Sequence, residues 1–167
     1  VTILYAAFVA SPPIYYYYGI SIFTLNVEAA CFVKGTMIET EGGEIPIEKL
    51  EKGNLVKTTM GYVRVFDVIY DKVQNSISNP LIYQVDNLTI THNHLIYING
   101  EMKYAKDVGS PIVDDSIYEI YNIALSPLDT EKKFVSNYII YANGISVEAM
   151  DFTSYMNRIG ETTIKIQ

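Results

Sequence analysis

The 167-residue chain has one cysteine, two histidines and no tryptophan. A single thiol excludes an internal disulfide and any multi-thiolate metal site, so an ordinary core must hold the fold together. Basic residues are also scarce, with 12 Lys and Arg against 19 Asp and Glu and a formal net charge of -7. No run of five Lys or Arg occurs, and the average field repels phosphates, so nucleic acid is not an expected partner. A membrane span is not expected either. Within "VTILYAAFVASPPIYYYYGISIFTLNVEAA", residues 1–30, Pro12, Pro13 and Gly19 interrupt the apolar run, and neither half reaches the roughly 20 residues a bilayer requires. The same stretch lacks the basic start of a signal peptide. A lipoprotein site is disfavoured because Glu28 stands where an aliphatic residue is needed, three before Cys31. The compartment is left open.

What is abundant points to strands. Fifteen Tyr and six Phe suit a pleated surface, where wide rings pack well. A hydrophobic fraction of 49% against 19% charged residues provides enough apolar surface for a folded chain. The length suits one domain with extensions. Residue 1 is Val rather than Met, so a fragment, a processed product or a segment of a larger protein is expected.

Residues 1–30 carry one acidic and no basic residue and form a region of their own, expected to contribute strands. From Cys31 onward, short β segments alternate with turn signals every eight to twelve residues. "TMIETEGGEIPIEKL" reads as a hairpin around Gly42 and Gly43 followed by one helical turn at 47–51. "NLVKTTMGYVRVFDVIYDKV" reads as two strands meeting near Met60 and Gly61, with a Ser/Asn/Pro loop over 74–80. Hairpin turns are expected at Asp86-Asn87, Asn99-Gly100 and Asn143-Gly144. "SIYEIYNIAL" is a long strand, and 126–137 is a polar loop.

Three stretches taken in order carry a resemblance: "CFVKGTMIET" with "IPIEKLEKGNLVKT", then "TITHNHLIYINGEMKYAKDV", then "IYNIAL" with "NYIIYANGISVEA". Together they resemble the Hint superfamily, the self-cleaving module shared by inteins and hedgehog autoprocessing domains. The match spans about residues 31–149. It departs from the family pattern at Asn54, Ser110 and Asn122, where the family commonly has Asp. The fold this implies is all-β and horseshoe-like, built of short antiparallel strands and hairpins, with a strand-rich N-terminal extension. The domain plan is then a tyrosine-rich flank at 1–30, an autoprocessing domain at 31–149 and a C-terminal flank at 150–167.

The resemblance also implies a chemistry: the Cys31 thiol attacks the Ala30 carbonyl and converts the peptide bond to a thioester. That role needs a proton carrier and an oxyanion donor. His94 is the candidate carrier, with His92 as its substitute on the same face of a regular strand. Thr91 is the candidate donor, through its hydroxyl or backbone amide. The scissile bond is Ala30–Cys31, where two small alanines leave the carbonyl accessible. Asn122 and Asn143 are auxiliary candidates, the latter also explained as a turn residue. Splicing is disfavoured, because "VEAMD" at 147–151 lacks the closing His-Asn pair. The substrate is the chain's own N-terminal flank, and no cofactor or metal is called for, although His92 and His94 have the spacing of a metal pair.

Taken alone, Cys31 reads more simply as a small buried hydrophobe, and His94 as a surface or core histidine. Glu39, Glu41, Glu44, Glu48 and Glu51 read as a solvated face. Asp67, Asp71, Asp107 and Asp114 are carboxylates that the sequence does not place beside Cys31. The rival expectation is a catalytically silent module of a structural or assembly protein, pairing with its neighbours through exposed strand edges.

Overall fold

The computed structural model describes residues 30–127, 137–150, 152 and 154–157. The strands expected in 1–29 and most of the loop at 126–137 lie outside the described residues. The flank and domain boundaries on either side of 31–149 remain expectations.

The described residues form thirteen strands: β1 (Phe32–Val33), β2 (Met37–Thr40), β3 (Gly43–Pro46), β4 (Leu55–Thr58), β5 (Gly61–Gln74), β6 (Ile82–Val85), β7 (Leu88–Thr91), β8 (Leu95–Ile98), β9 (Glu101–Tyr104), β10 (Ser110–Pro111), β11 (Ile117–Leu125), β12 (Ile139–Ala142) and β13 (Ile145–Glu148). A 3-10 turn, Ile47–Lys49, follows β3, and one helical turn, α1 (Ala105–Val108), follows β9. Every strand pair is antiparallel, in the order β10-β6-β7-β1-β11-β5-β4-β2-β12-β13-β8-β9 with β3 on β2. This is the all-β, Hint-type sheet that the sequence implies, curled into a half-barrel.

β5 joins the two halves of that sheet. Its first residues, Gly61–Arg64, pair with β4, and the rest, from Val65 to Gln74, pairs with β11. The register slips once. Asp67 faces Ala124 and Val65 faces Leu125, which leaves Phe66 as an extra residue in a bulge.

Three two-residue hairpins form where the turn signals stood. Asp86, Asn99 and Asn143 take φ near +50°, a conformation short polar side chains tolerate, and Gly100 and Gly144 follow with positive φ. Asn143 does more than turn. Its Oδ1 accepts the Met37 amide at 2.7 Å and its Nδ2 donates to the Asn87 carbonyl at 2.8 Å, which ties the hairpin tip to β2 and to the β6–β7 turn.

The main core gathers Phe32, Ile38, Val56, Leu88, Ile90, Ile96, Ile123 and Ile140 with others between the two halves of the curled sheet. A smaller cluster, Cys31 with Val73, Ile82 and Ile120, is separate from it. Beyond β13 the chain returns to β11. The Met150 amide donates to the Ile123 carbonyl at 3.0 Å, and Met150 bridges Ala124 in parallel.

Candidate functional site

Sheet register assembles the site. β1 lies between β7 and β11, with Phe32 opposite both Ile90 and Tyr121. One step further along, the same register sets Cys31 between Thr91, the last residue of β7, and Asn122 in β11. Residues 60 and 91 positions apart in the chain thereby meet one peptide unit.

Both ends of the Ala30–Cys31 peptide are held. The Cys31 N–H donates to Thr91 Oγ1 at 2.8 Å, and the Asn122 Nδ2 amide donates to the Ala30 carbonyl oxygen. The Cys31 carbonyl accepts the Thr91 N–H at 3.1 Å and its hydroxyl at 3.2 Å. Thr91 and Asn122 are each 2% exposed. Water competes little for these bonds. At rest Thr91, expected to face the scissile carbonyl through its hydroxyl or its backbone amide, instead bonds Cys31 on both counts. That hydroxyl serves the nitrogen side of the bond and the following carbonyl, because the register places β7 on that side, while the Ala30 oxygen belongs to Asn122.

His94 stands just before β8, and the geometry of that stretch also differs from expectation. Residues 92 and 93 form a turn rather than a strand, closed by the His94 N–H to the Thr91 carbonyl at 3.1 Å. His92 and His94 therefore do not share a strand face. The start of α1 holds this turn from below, with the Ala105 and Lys106 amides donating to the His94 and His92 carbonyls, each at 2.9 Å. The first amides of a helix have no partner within it, and here they fix the His92–His94 turn.

The imidazole of His94 is 1% exposed and packs on the Phe32 ring, 4.4 Å between centroids. Nε2 lies 2.7 Å from the Glu148 carbonyl oxygen, an atom that can only accept, so Nε2 carries the hydrogen. Nδ1 is buried and makes no hydrogen bond of normal geometry. Burial drives the His94 pKa down to about 4, against a smaller opposing pull from the Glu148 and Cys31 backbones. At neutral pH the ring is uncharged, with a lone pair on Nδ1.

The imidazole thus meets the backbone of Cys31, whereas the thiol side chain, 1% exposed, packs with Val73, Ile82 and Ile120 in the smaller cluster. Asn143 touches none of these groups; its partners are Met37 and Asn87. Among the carboxylates the sequence left unplaced, Asp67 receives the Tyr155 hydroxyl at 2.9 Å and Asp114 receives the Tyr118 hydroxyl at 2.7 Å. No group of three or more His, Cys, Asp or Glu among the described residues is arranged to hold a metal ion. No helix among them is long and apolar enough to cross a membrane.

Comparisons with known proteins bear on the fold that carries these residues. Residues 30–98 match the family described as Hint domain. No curated protein matches the chain. The fold is similar to that of a bacterial intein-like domain from Clostridium thermocellum, with a TM-score of 0.56 at 16% identity over 74% of this chain and 100% of that one. A variant of the Ssp DnaB mini-intein gives 0.51 at 16% identity, over 73% of this chain and 95% of that one. A variant of the gp41-1 intein gives 0.50 at 16%, over 74% and 100%.

Proposed function

We propose, from the Hint domain match over residues 30–98 and the likeness to intein folds, that this chain is a self-processing domain of the Hint type, which cuts its own Ala30–Cys31 bond without splicing its flanks together. The observation that carries this reading is the two-sided grip on one peptide unit, with Thr91 on the Cys31 nitrogen and Asn122 on the Ala30 oxygen. An ordinary strand entry needs no buried side-chain partner on either atom, since backbone ladders serve both.

The chemistry then runs in balanced steps. The thiol proton passes to the lone pair of His94 Nδ1, and the sulfur attacks the Ala30 carbonyl carbon. The tetrahedral intermediate collapses as the C–N bond breaks and the imidazolium returns the proton to the Cys31 nitrogen. The product is a thioester joining Ala30 to the Cys31 sulfur. Water or a small nucleophile opens it, releasing residues 1–30 and restoring the thiol. A neutral resting imidazole suits this order, because it must accept a proton before it can give one. Thr91 accepts the scissile N–H and aligns the leaving nitrogen. The Val147–Asp151 stretch has no asparagine to cyclise, so the downstream flank stays attached.

A second reading follows from the thiol's place among Val73, Ile82 and Ile120, where it packs as any small apolar side chain does. In that case the chain is a silent module whose grip on residues 30 and 31 is structural. Mass spectrometry of the purified chain, with and without hydroxylamine or a thiol, separates the two. Self-cleavage yields a fragment beginning at Cys31 that vanishes in Cys31→Ala. A chain that stays whole under both conditions leaves the silent module standing.

A further inference from the structure

We propose that Asn122 is a catalytic residue, the hydrogen-bond donor that stabilises negative charge on the Ala30 oxygen as the thioester forms. The proposal rests on the self-cleavage reading above and adds to it a role for a side chain whose type alone would suggest none.

The orientation of the amide is fixed by its partners. Oδ1 accepts the Ile123 backbone N–H at 2.8 Å, and that N–H can only donate. Nδ2 meets the Ala30 carbonyl oxygen, which can only accept. Flipping the amide would set two donors against each other at one end and two acceptors at the other. The side chain is 2% exposed and stands on β11, which is braced by β5 on one side and β1 on the other. Its NH2 group is therefore pre-aimed at the atom that becomes an oxyanion. The bond strengthens as charge develops, and no reorganisation is needed when it does.

A donor in this place does something a carboxylate cannot. Aspartate has the same shape, but when ionised it offers only acceptors, and it would set a negative charge beside the developing one. The two roles separate in protein whose amide spectrum shows it folded: a purely structural role predicts that folded Asn122→Ala cleaves at the parent rate, and a catalytic role predicts that it slows.

The sole cysteine makes the test direct. In full-length protein labelled with carbonyl-13C alanine and 15N cysteine, Ala30–Cys31 is the only labelled pair, so one amide-to-carbonyl correlation peak reports this bond. Its carbonyl resonance should move upfield in Asn122→Ala as the hydrogen bond is lost. Its decay under hydroxylamine measures cleavage, expected to slow about 100-fold in Asn122→Ala, the typical cost of one oxyanion donor, and further in Asn122→Asp. The folded amide spectrum of each variant guards against a mere folding failure. Either folded variant cleaving within twofold of the parent, or Asn122→Asp outpacing Asn122→Ala, overturns the assignment. A parent chain whose own peak never decays removes the self-cleavage reading and the role of Asn122 with it, an outcome distinct from a parent that cleaves as fast as its variants.

Discussion

At the scale of single residues, His94 is the side chain most altered by its surroundings. Its pKa is near 4 in the fold and near 6.5 in an unfolded chain, so between those values the unfolded state binds the extra proton. The stabilisation is therefore complete above pH 6.5 and is lost as pH falls toward 4, by about 3 kcal/mol in all. Urea unfolding of the parent and of His94→Gln between pH 7 and pH 4 checks this. The parent should lose more stability than the variant across that window, and parallel curves would contradict the buried neutral ring. Little of this was legible beforehand. The Thr-x-x-His phrase marked Thr91 and His94 as a pair, but their division of labour depends on which side of β1 the strand β7 lies. Asn122 carried only the signal of an amide where the family that the sequence resembles commonly has Asp. Its partner lies 92 residues away in the sequence, and no local pattern reports a contact of that span.

At the scale of elements, the hairpins were the most readable part of the chain, because a two-residue turn demands residues that accept positive φ. Asp86, Asn99 and Asn143 supply them. The single turn α1 was not foreseen. It is four residues long and has no side-chain cap at Tyr104, so neither periodicity nor a capping residue announces it. It is nonetheless the element that braces the His92–His94 turn, and the residue closing it is tightly placed. A Cβ on Gly109 would come within 2.6 Å of Val85 Cγ2 and 2.7 Å of the Gln84 carbonyl oxygen. Gly109→Ala should therefore cost about 1–3 kcal/mol, read as a lower denaturant midpoint, as overpacked sites generally do. Because α1 would be pushed away from β6, the same variant should also broaden the His94 ring resonances. An unchanged midpoint would show that α1 can shift without cost.

At the scale of the whole molecule, the all-β class and the order of the three sequence blocks were legible, while the strand that joins the two halves of the curled sheet was not. That strand is β5, whose fourteen residues pair with β4 and then with β11 across the bulge at Phe66. The bulge turns Phe66 toward the segment after β13, where its ring meets Phe152 and Tyr155, each at 5.6 Å, edge to face. The Tyr155 hydroxyl donates to Asp67, which also lies 3.4 Å from Lys52. Burial and the Asp67 carboxylate raise the Tyr155 pKa to about 12, so it remains a donor throughout the neutral range. Tyr155→Phe keeps the ring and removes this bond. The expected loss is about 1–2 kcal/mol, a fall of roughly 3–6 °C in Tm, with faster amide exchange at Met150. Exchange at Met150 equal to that of the parent would show that the tether does not secure the return to β11.

That return has one more consequence. Ala30 meets Asn122 and Met150 bridges Ala124, two residues apart on a single strand. A polypeptide interrupted at a surface turn could carry all of this intervening mass as a side loop, its own halves held no farther apart than the turn had held them.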